Sequence, residues 1–177
     1  MKILFLILYI LTFQLANNDI YSIGCKDING RTINLNEFKD RKIIIALIEG
    51  SNPKTEFLVF LDSIQKVKSD YKIIIIPSEE FGGPSDIPSL LKIKEKFGES
   101  LTMTSPMNVT KSSGNLQHPL LKWLTDVNLN QHYNKDAEGS TQLFFIAPGA
   151  IIYSVISPQA PIEVINRLLA NQVNSQQ

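Results

Sequence analysis

The chain has 177 residues, 44% of them hydrophobic, enough for one compact domain with a core and too few for two. Its 17 basic and 17 acidic side chains balance. That excludes the electrostatic footprint of a nucleic-acid-binding protein or of one held to an anionic membrane.

Residues 1–16, MKILFLILYILTFQLA, carry one cation, Lys2, then an apolar run from Ile3 to Phe13, then Ala16. This is the pattern of a secretory signal peptide, and the run is short for a membrane span. The expectation is a secreted or lumenal protein in which residues 17–177 form a single domain, with no membrane association beyond the signal. Cys25 is the one cysteine, so no internal disulfide can form. The tripeptide Asn108-Val109-Thr110 is a sequon and makes Asn108 a glycosylation candidate.

Residues 17–40 read as a hairpin in which IYSIGCK and RTINL flank a two-residue turn at Asn29-Gly30. KIIIALI (42–48) and YKIIIIP (71–77) are apolar runs without alternation, as in parallel strands covered on both faces. Between them Phe57, Leu58, Phe60, Leu61, Ile64 and Val67 recur at helical spacing, completing a strand–helix–strand crossover. A second helix is expected over 87–97, stopped by Gly98. Residues 100–114 read as a loop with a short extended piece. A helix then starts in HPLLKWLTDV with Pro119 in its first turn, and 128–141 read as a polar loop. LFFIA (143–147) and IIYSVI (151–156) flank Pro148-Gly149 as a hairpin, PIEVINRLLANQ forms the closing amphipathic helix, and the tail after Val173 is expected to fray. The pattern is α/β with mixed strand directions.

These segments, in this order, resemble the glutathione peroxidase family: DIYSIGCKDINGRTINL, KIIIALI, IIIIPSEEFGG, HPLLKWL and LFFIAPGAIIYSVISP, with KDINGR and the FGG turn the most specific. The resemblance implies a thioredoxin-like fold, a central mixed sheet flanked by helices with an N-terminal β-hairpin. It also implies a site. A thiol or selenol in the turn after the first core strand attacks the peroxide, its pKa lowered by the following helix. A glutamine before FGG and a tryptophan-asparagine pair before the late strand donate hydrogen bonds.

Carried over one position at a time, the resemblance finds none of these groups. Aligning Thr55 with the threonine that closes the family's turn motif puts Asn52 at the nucleophile. Glu80 stands at the glutamine, and its carboxylate can only accept. Ser78 stands where many members have a further cysteine. The tryptophan-asparagine pair falls on Gly139 and Ser140, and the segment after FGG is shorter than usual. The expectation is a degenerate, catalytically inactive member with no intact catalytic residue and no cofactor. The alternative is a thiol-dependent peroxidase acting in oxidative-stress response, with Cys25 as its thiol. A lumenal thioredoxin-like redox protein ranks below both, because the chain has no CxxC.

The residues themselves have plainer readings. Asn52 before Pro53 reads as a helix N-cap followed by a first-turn proline. Cys25 in the first hairpin strand reads as a buried, inert thiol. His118 before a helix and His132 in a polar loop read as capping and surface residues, and Trp123 reads as a core aromatic. Glu49, Glu79 and Glu80 should lie near the carboxyl ends of two neighbouring strands, which makes them a weak calcium candidate. The second version is that Glu80 accepts hydrogen bonds from Asn52 and the helix N-terminus. A small-molecule ligand would be sought around Asn52 and Glu80. No partner can be named from the sequence.

Overall fold

The computed structural model describes residues 19–98 and 100–171. The expected signal peptide and the expected frayed tail lie outside these residues. A five-stranded mixed sheet forms the centre, in the order β5-β4-β3-β6-β7. Its strands are β3 (Lys42–Glu49), β4 (Tyr71–Ser78), β5 (Thr102–Met103), β6 (Leu143–Ala147) and β7 (Ile151–Ile156). β3 and β4 run parallel in register from Lys42↔Tyr71 to Glu49↔Ser78, and β6 runs antiparallel to β3. A separate two-stranded hairpin, β1 (Cys25–Lys26) with β2 (Thr32–Ile33), precedes the sheet.

The unbroken apolar runs follow from this layout. Side chains alternate between the faces of a strand, so a central strand covered on both sides needs apolar residues at every position. Ile43, Ile45 and Leu47 of β3 enter one core with Leu35, Leu120, Leu121 and Trp123. Ile44, Ala46 and Ile48 enter the other, under helices α1 (Thr55–Val67), α2 (Ile87–Phe97) and α5 (Ile162–Asn171). α1 buries Leu58, Leu61 and Ile64 along one stripe. α2 stops at Gly98, whose φ of 59° is a backbone state that glycine adopts readily, and whose N–H reaches the Lys94 carbonyl at 2.9 Å. Among the described residues no helix is long and apolar enough to cross a membrane.

Three local expectations are corrected. The first hairpin closes through three residues rather than two. Gly30 N–H bonds Asp27 O at 2.9 Å, Asp27 N–H bonds Arg31 O at 2.7 Å, and the Asp27 carboxylate takes the N–H groups of Asn29 and Arg31. This is a turn followed by a left-handed glycine (Gly30, φ 82°), and it frees Ile28 to enter the second core. The polar stretch expected as a loop over 128–141 opens inside a short helix, α4 (Val127–Asn130), directly after α3 (Pro119–Thr125), because the Asp126 side chain caps it through Asn128 N–H at 3.0 Å. Asn52 is not a cap. α1 begins at Thr55 after an extended Lys54 with no side-chain cap bond, and buried Pro53 lies ahead of the first turn rather than in it.

Candidate functional site

Sheet register brings the carboxyl ends of β3 and β4 together, with Glu49 beside Ser78. Two chain segments leave this edge: the turn Gly50-Ser51-Asn52 and the loop 79–86. The loop lies on the turn. Gly50 N–H donates to Phe81 O at 3.3 Å, Asp86 N–H donates to Gly50 O at 2.9 Å, and the Ser51 hydroxyl donates to Gly82 O. Gly82 packs against the Glu49 side chain so closely that a Cβ there would lie 2.8 Å from Glu49 Cγ. Asn52 is exposed, and its side chain makes no hydrogen bond to any described residue.

Ser78, fully buried, organises the start of the loop. Its hydroxyl accepts from the N–H groups of Glu80 (3.0 Å) and Phe81 (3.1 Å) and donates to the Glu80 carboxylate at 3.2 Å. Glu80 turns away from Asn52 toward a third segment. Its carboxylate accepts from Val109 N–H at 2.8 Å, Thr110 N–H at 3.2 Å, the Thr110 hydroxyl at 3.1 Å and the Ser113 hydroxyl. Partial burial works to raise the Glu80 pKa, but the bonds from Ser113, Val109 and Thr110 outweigh it and hold the carboxyl below its ordinary range.

The three glutamates therefore part company. Glu49 receives the Ser140 hydroxyl at 3.3 Å, Glu79 receives Ser85 N–H at 3.4 Å, and Glu80 holds the 109–113 segment. Among the described residues no group of three His, Cys, Asp or Glu side chains could hold a metal ion, so the calcium candidate Glu49, Glu79 and Glu80 is not supported. The version in which Glu80 bonds Asn52 fails as well, because the 109–113 segment supplies its donors. Ser140 does reach the same edge through Glu49, while Gly139 packs its backbone toward Pro158.

Three cavities, of about 410, 570 and 460 Å³, lie elsewhere, and neither Asn52 nor Glu80 lines any of them. The first two share Asp19, Trp123 and Leu129 as a common wall. The third is lined by Cys25, Met107 and His118 among others. His118 caps α3, its Nδ1 accepting Leu120 N–H at 3.1 Å, and burial lowers its pKa, so the ring is neutral. His132 is exposed, and Trp123 is 2% exposed in the core.

Cys25 is 3% exposed, and burial pushes its thiol up to about 11. A thiol, not a thiolate, is present at neutral pH, and the thiol is a poor nucleophile. Native protein at pH 7.5 is expected to leave iodoacetamide unreacted at Cys25, with stoichiometric labelling after denaturation. Rapid labelling of the native chain, read by intact mass, would contradict this.

Sequence reasoning did not find the 109–113 segment. The TKSS run that holds its hydroxyl donors reads as loop, and its only signal is the clustering of short hydroxyl side chains that favour local turns.

No protein-family model and no curated protein matches the sequence. Solved structures do resemble the fold. Trgpx in its apo form aligns with a TM-score of 0.62 at 14% identity, covering 88% of this chain and 95% of that one. T. cruzi GPX1 aligns at 0.60 and 14% identity, covering 85% and 94%. The exposed lipoprotein thioredoxin Etrx1 of Streptococcus pneumoniae aligns at 0.51 and 14% identity, covering 84% and 98%. The chain has a thioredoxin-like fold, as expected from the sequence: a mixed sheet between two helical layers, preceded by a short hairpin.

Proposed function

We propose that this chain is a secreted glutathione-peroxidase-like protein without peroxidase activity, acting as a binding or structural module. The observation that carries the reading is the fate of Glu80. At the position where the resemblance places an amide donor aimed at a peroxide, a carboxylate is occupied by four groups of the chain's own 109–113 segment. Asn52, at the nucleophile's position, offers an amide, which is neither nucleophilic nor reducible. The loop 79–86 is bonded down over the same turn. Fold alone does not supply a function, and the residues at these positions carry the reading instead. Asn108, half-buried, belongs to this reading as the glycan acceptor. Thr110 of the sequon is buried and bonded to Glu80, so attachment precedes folding.

The second reading, a thiol-dependent peroxidase serving oxidative-stress defence, draws on one observation: Cys25 lines a cavity of about 460 Å³. One assay separates the two. Purified protein is mixed with hydrogen peroxide or a lipid hydroperoxide and a thiol reductant. Consumption is expected to match a boiled control and to be unchanged in Cys25→Ala. Consumption above the control that disappears in Cys25→Ala would establish the peroxidase instead. Asn52→Cys is expected to gain little while Glu80 remains and more with Glu80→Gln added, which loosens the side chain from the 109–113 segment and supplies a donor, worth on the order of 100-fold in rate where it reaches the peroxide. Full activity from Asn52→Cys alone would show that the remaining pocket is intact.

A further inference from the structure

We propose that Glu80 is the latch of a strap, residues 107–117, and that its closure forms one wall of the cleft beside Trp123. The strap starts alongside β4, where Met107 N–H bonds Pro77 O at 2.9 Å and Glu79 N–H bonds Met107 O at 3.0 Å. It ends where His118 N–H bonds Asn108 O at 3.0 Å and Gln117 Nε2 donates to Val109 O at 3.0 Å. Between these ends it makes a short helical turn, Lys111–Leu116, broken at Gly114 with φ 55°.

Apolar burial does not hold this middle. No residue of Lys111–Leu116 is buried, and Leu116 is 74% exposed. Segments with few buried apolar contacts open at low free energy, so hydrogen bonds decide their state. Two carboxylates supply them from outside the strap. Asp136 takes Lys111 N–H at 2.8 Å, and Glu80 takes the N–H groups of Val109 and Thr110 with the hydroxyls of Thr110 and Ser113. Val109 is fully buried and Thr110 is 8% exposed, so water cannot readily replace Glu80 at their N–H groups. All four partners are donors, and an ionised carboxylate is the acceptor-only side chain that suits them. A glutamine at this position could keep an oxygen for Thr110 N–H and the two hydroxyls only by turning its NH₂ toward Val109 N–H, the donor shared by both carboxylate oxygens at 3.1 and 2.8 Å.

The strap's outer part, Gly114, Asn115 and Gln117, faces Lys122 and Trp123 across a cavity of about 410 Å³. The latch thus ties the edge of the sheet at Ser78–Glu80 to the shape of a cleft on the other side of the strap. This coupling is independent of whether the chain reduces peroxides.

The test is amide hydrogen exchange on the full mature chain, read residue by residue, with emission from Trp123, the single tryptophan, as a second signal. In Glu80→Ala, protection at Val109 and Thr110 is expected to fall by about 10-fold or more, while β3 amides keep theirs and Trp123 emission shifts. Glu80→Gln is expected to show an intermediate loss, and it serves alone if the alanine variant does not fold. Unchanged protection at Val109 and Thr110 in Glu80→Gln would overturn the proposal. So would a loss spread equally over β3, because that describes general destabilisation rather than a latch.

Discussion

Asn130→Ala is expected to destabilise the protein by about 2–4 kcal/mol, among the largest effects of any polar substitution in the chain. Asn130 is 4% exposed, and its amide makes four bonds to backbone. Nδ2 donates to Trp123 O at 2.7 Å and Tyr133 O at 3.0 Å, while Oδ1 accepts the N–H groups of His132 and Tyr133, both at 2.7 Å. Alanine would leave these backbone groups without a partner in a buried place, and each such group carries a desolvation penalty. The same amide fixes the turn at Gln131, which holds a left-handed φ of 62°, a state uncommon for a residue other than glycine. Denaturant unfolding checks the value. A companion variant isolates the donors: Asn130→Asp keeps the two acceptor bonds but points a carboxylate at two carbonyls. The repulsion should raise that carboxyl's pKa above its unfolded value, so the variant should gain stability as pH falls through the folded pKa. Equal stability of Asn130→Ala and the parent would mean that water replaces all four bonds.

Asn130 also marks where sequence reading stops. The elements that depend on local pattern were legible. The bounds 87–97, 143–147 and 151–156 agree with α2, β6 and β7: Gly98 stops the helix, and Pro148-Gly149 separates the two β-rich apolar runs. The parallel pairing of β3 and β4 was legible from their unbroken apolar runs. The polar residues were not. Asn130 stood as one asparagine among several in an exposed-looking stretch, and nothing local says that its amide turns inward to meet Trp123 O. Glu80 departs from the glutamine that the resemblance implies, but its partners lie about thirty residues away at Val109, Thr110 and Ser113, and only the tertiary fold brings them together. Asn52 failed in the opposite direction. Its local signature of a cap before proline was good, but burial of Pro53 moved the helix start to Thr55. For Asn52 a tertiary contact outweighed a local preference of about 1 kcal/mol.

Gly50→Ala is expected to be as damaging as Asn130→Ala and to act on the candidate site itself. Gly50 does not need an unusual φ. It needs the absence of a side chain. A Cβ at this position would lie 2.2 Å from Ser85 Oγ, 2.5 Å from Ser78 O and 3.1 Å from Ser85 Cα. Real Cβ atoms do not approach other atoms this closely, so something must move. The Ser85 hydroxyl could rotate away. The Ser78 carbonyl cannot, because Ser78 is the last residue of β4, is fully buried and is paired to Glu49 of β3. The backbone of the turn or of the loop 79–86 must shift instead, and the bonds Gly50 N–H to Phe81 O and Asp86 N–H to Gly50 O would stretch or break. Overpacking of this kind typically costs about 1–3 kcal/mol, and the two bonds add roughly 1 kcal/mol each. A double mutant separates the contributions. Ser85→Gly in the Gly50→Ala background removes the clash with the hydroxyl and leaves the one with Ser78 O, so it should recover only part of the lost stability. Full recovery would place the whole strain on Ser85. No loss in Gly50→Ala, measured by denaturant midpoint, would mean that the loop does not lie on the turn. The part of the proposed function that rests on the loop 79–86 being bonded down over the turn Gly50-Ser51-Asn52 would then lose its support.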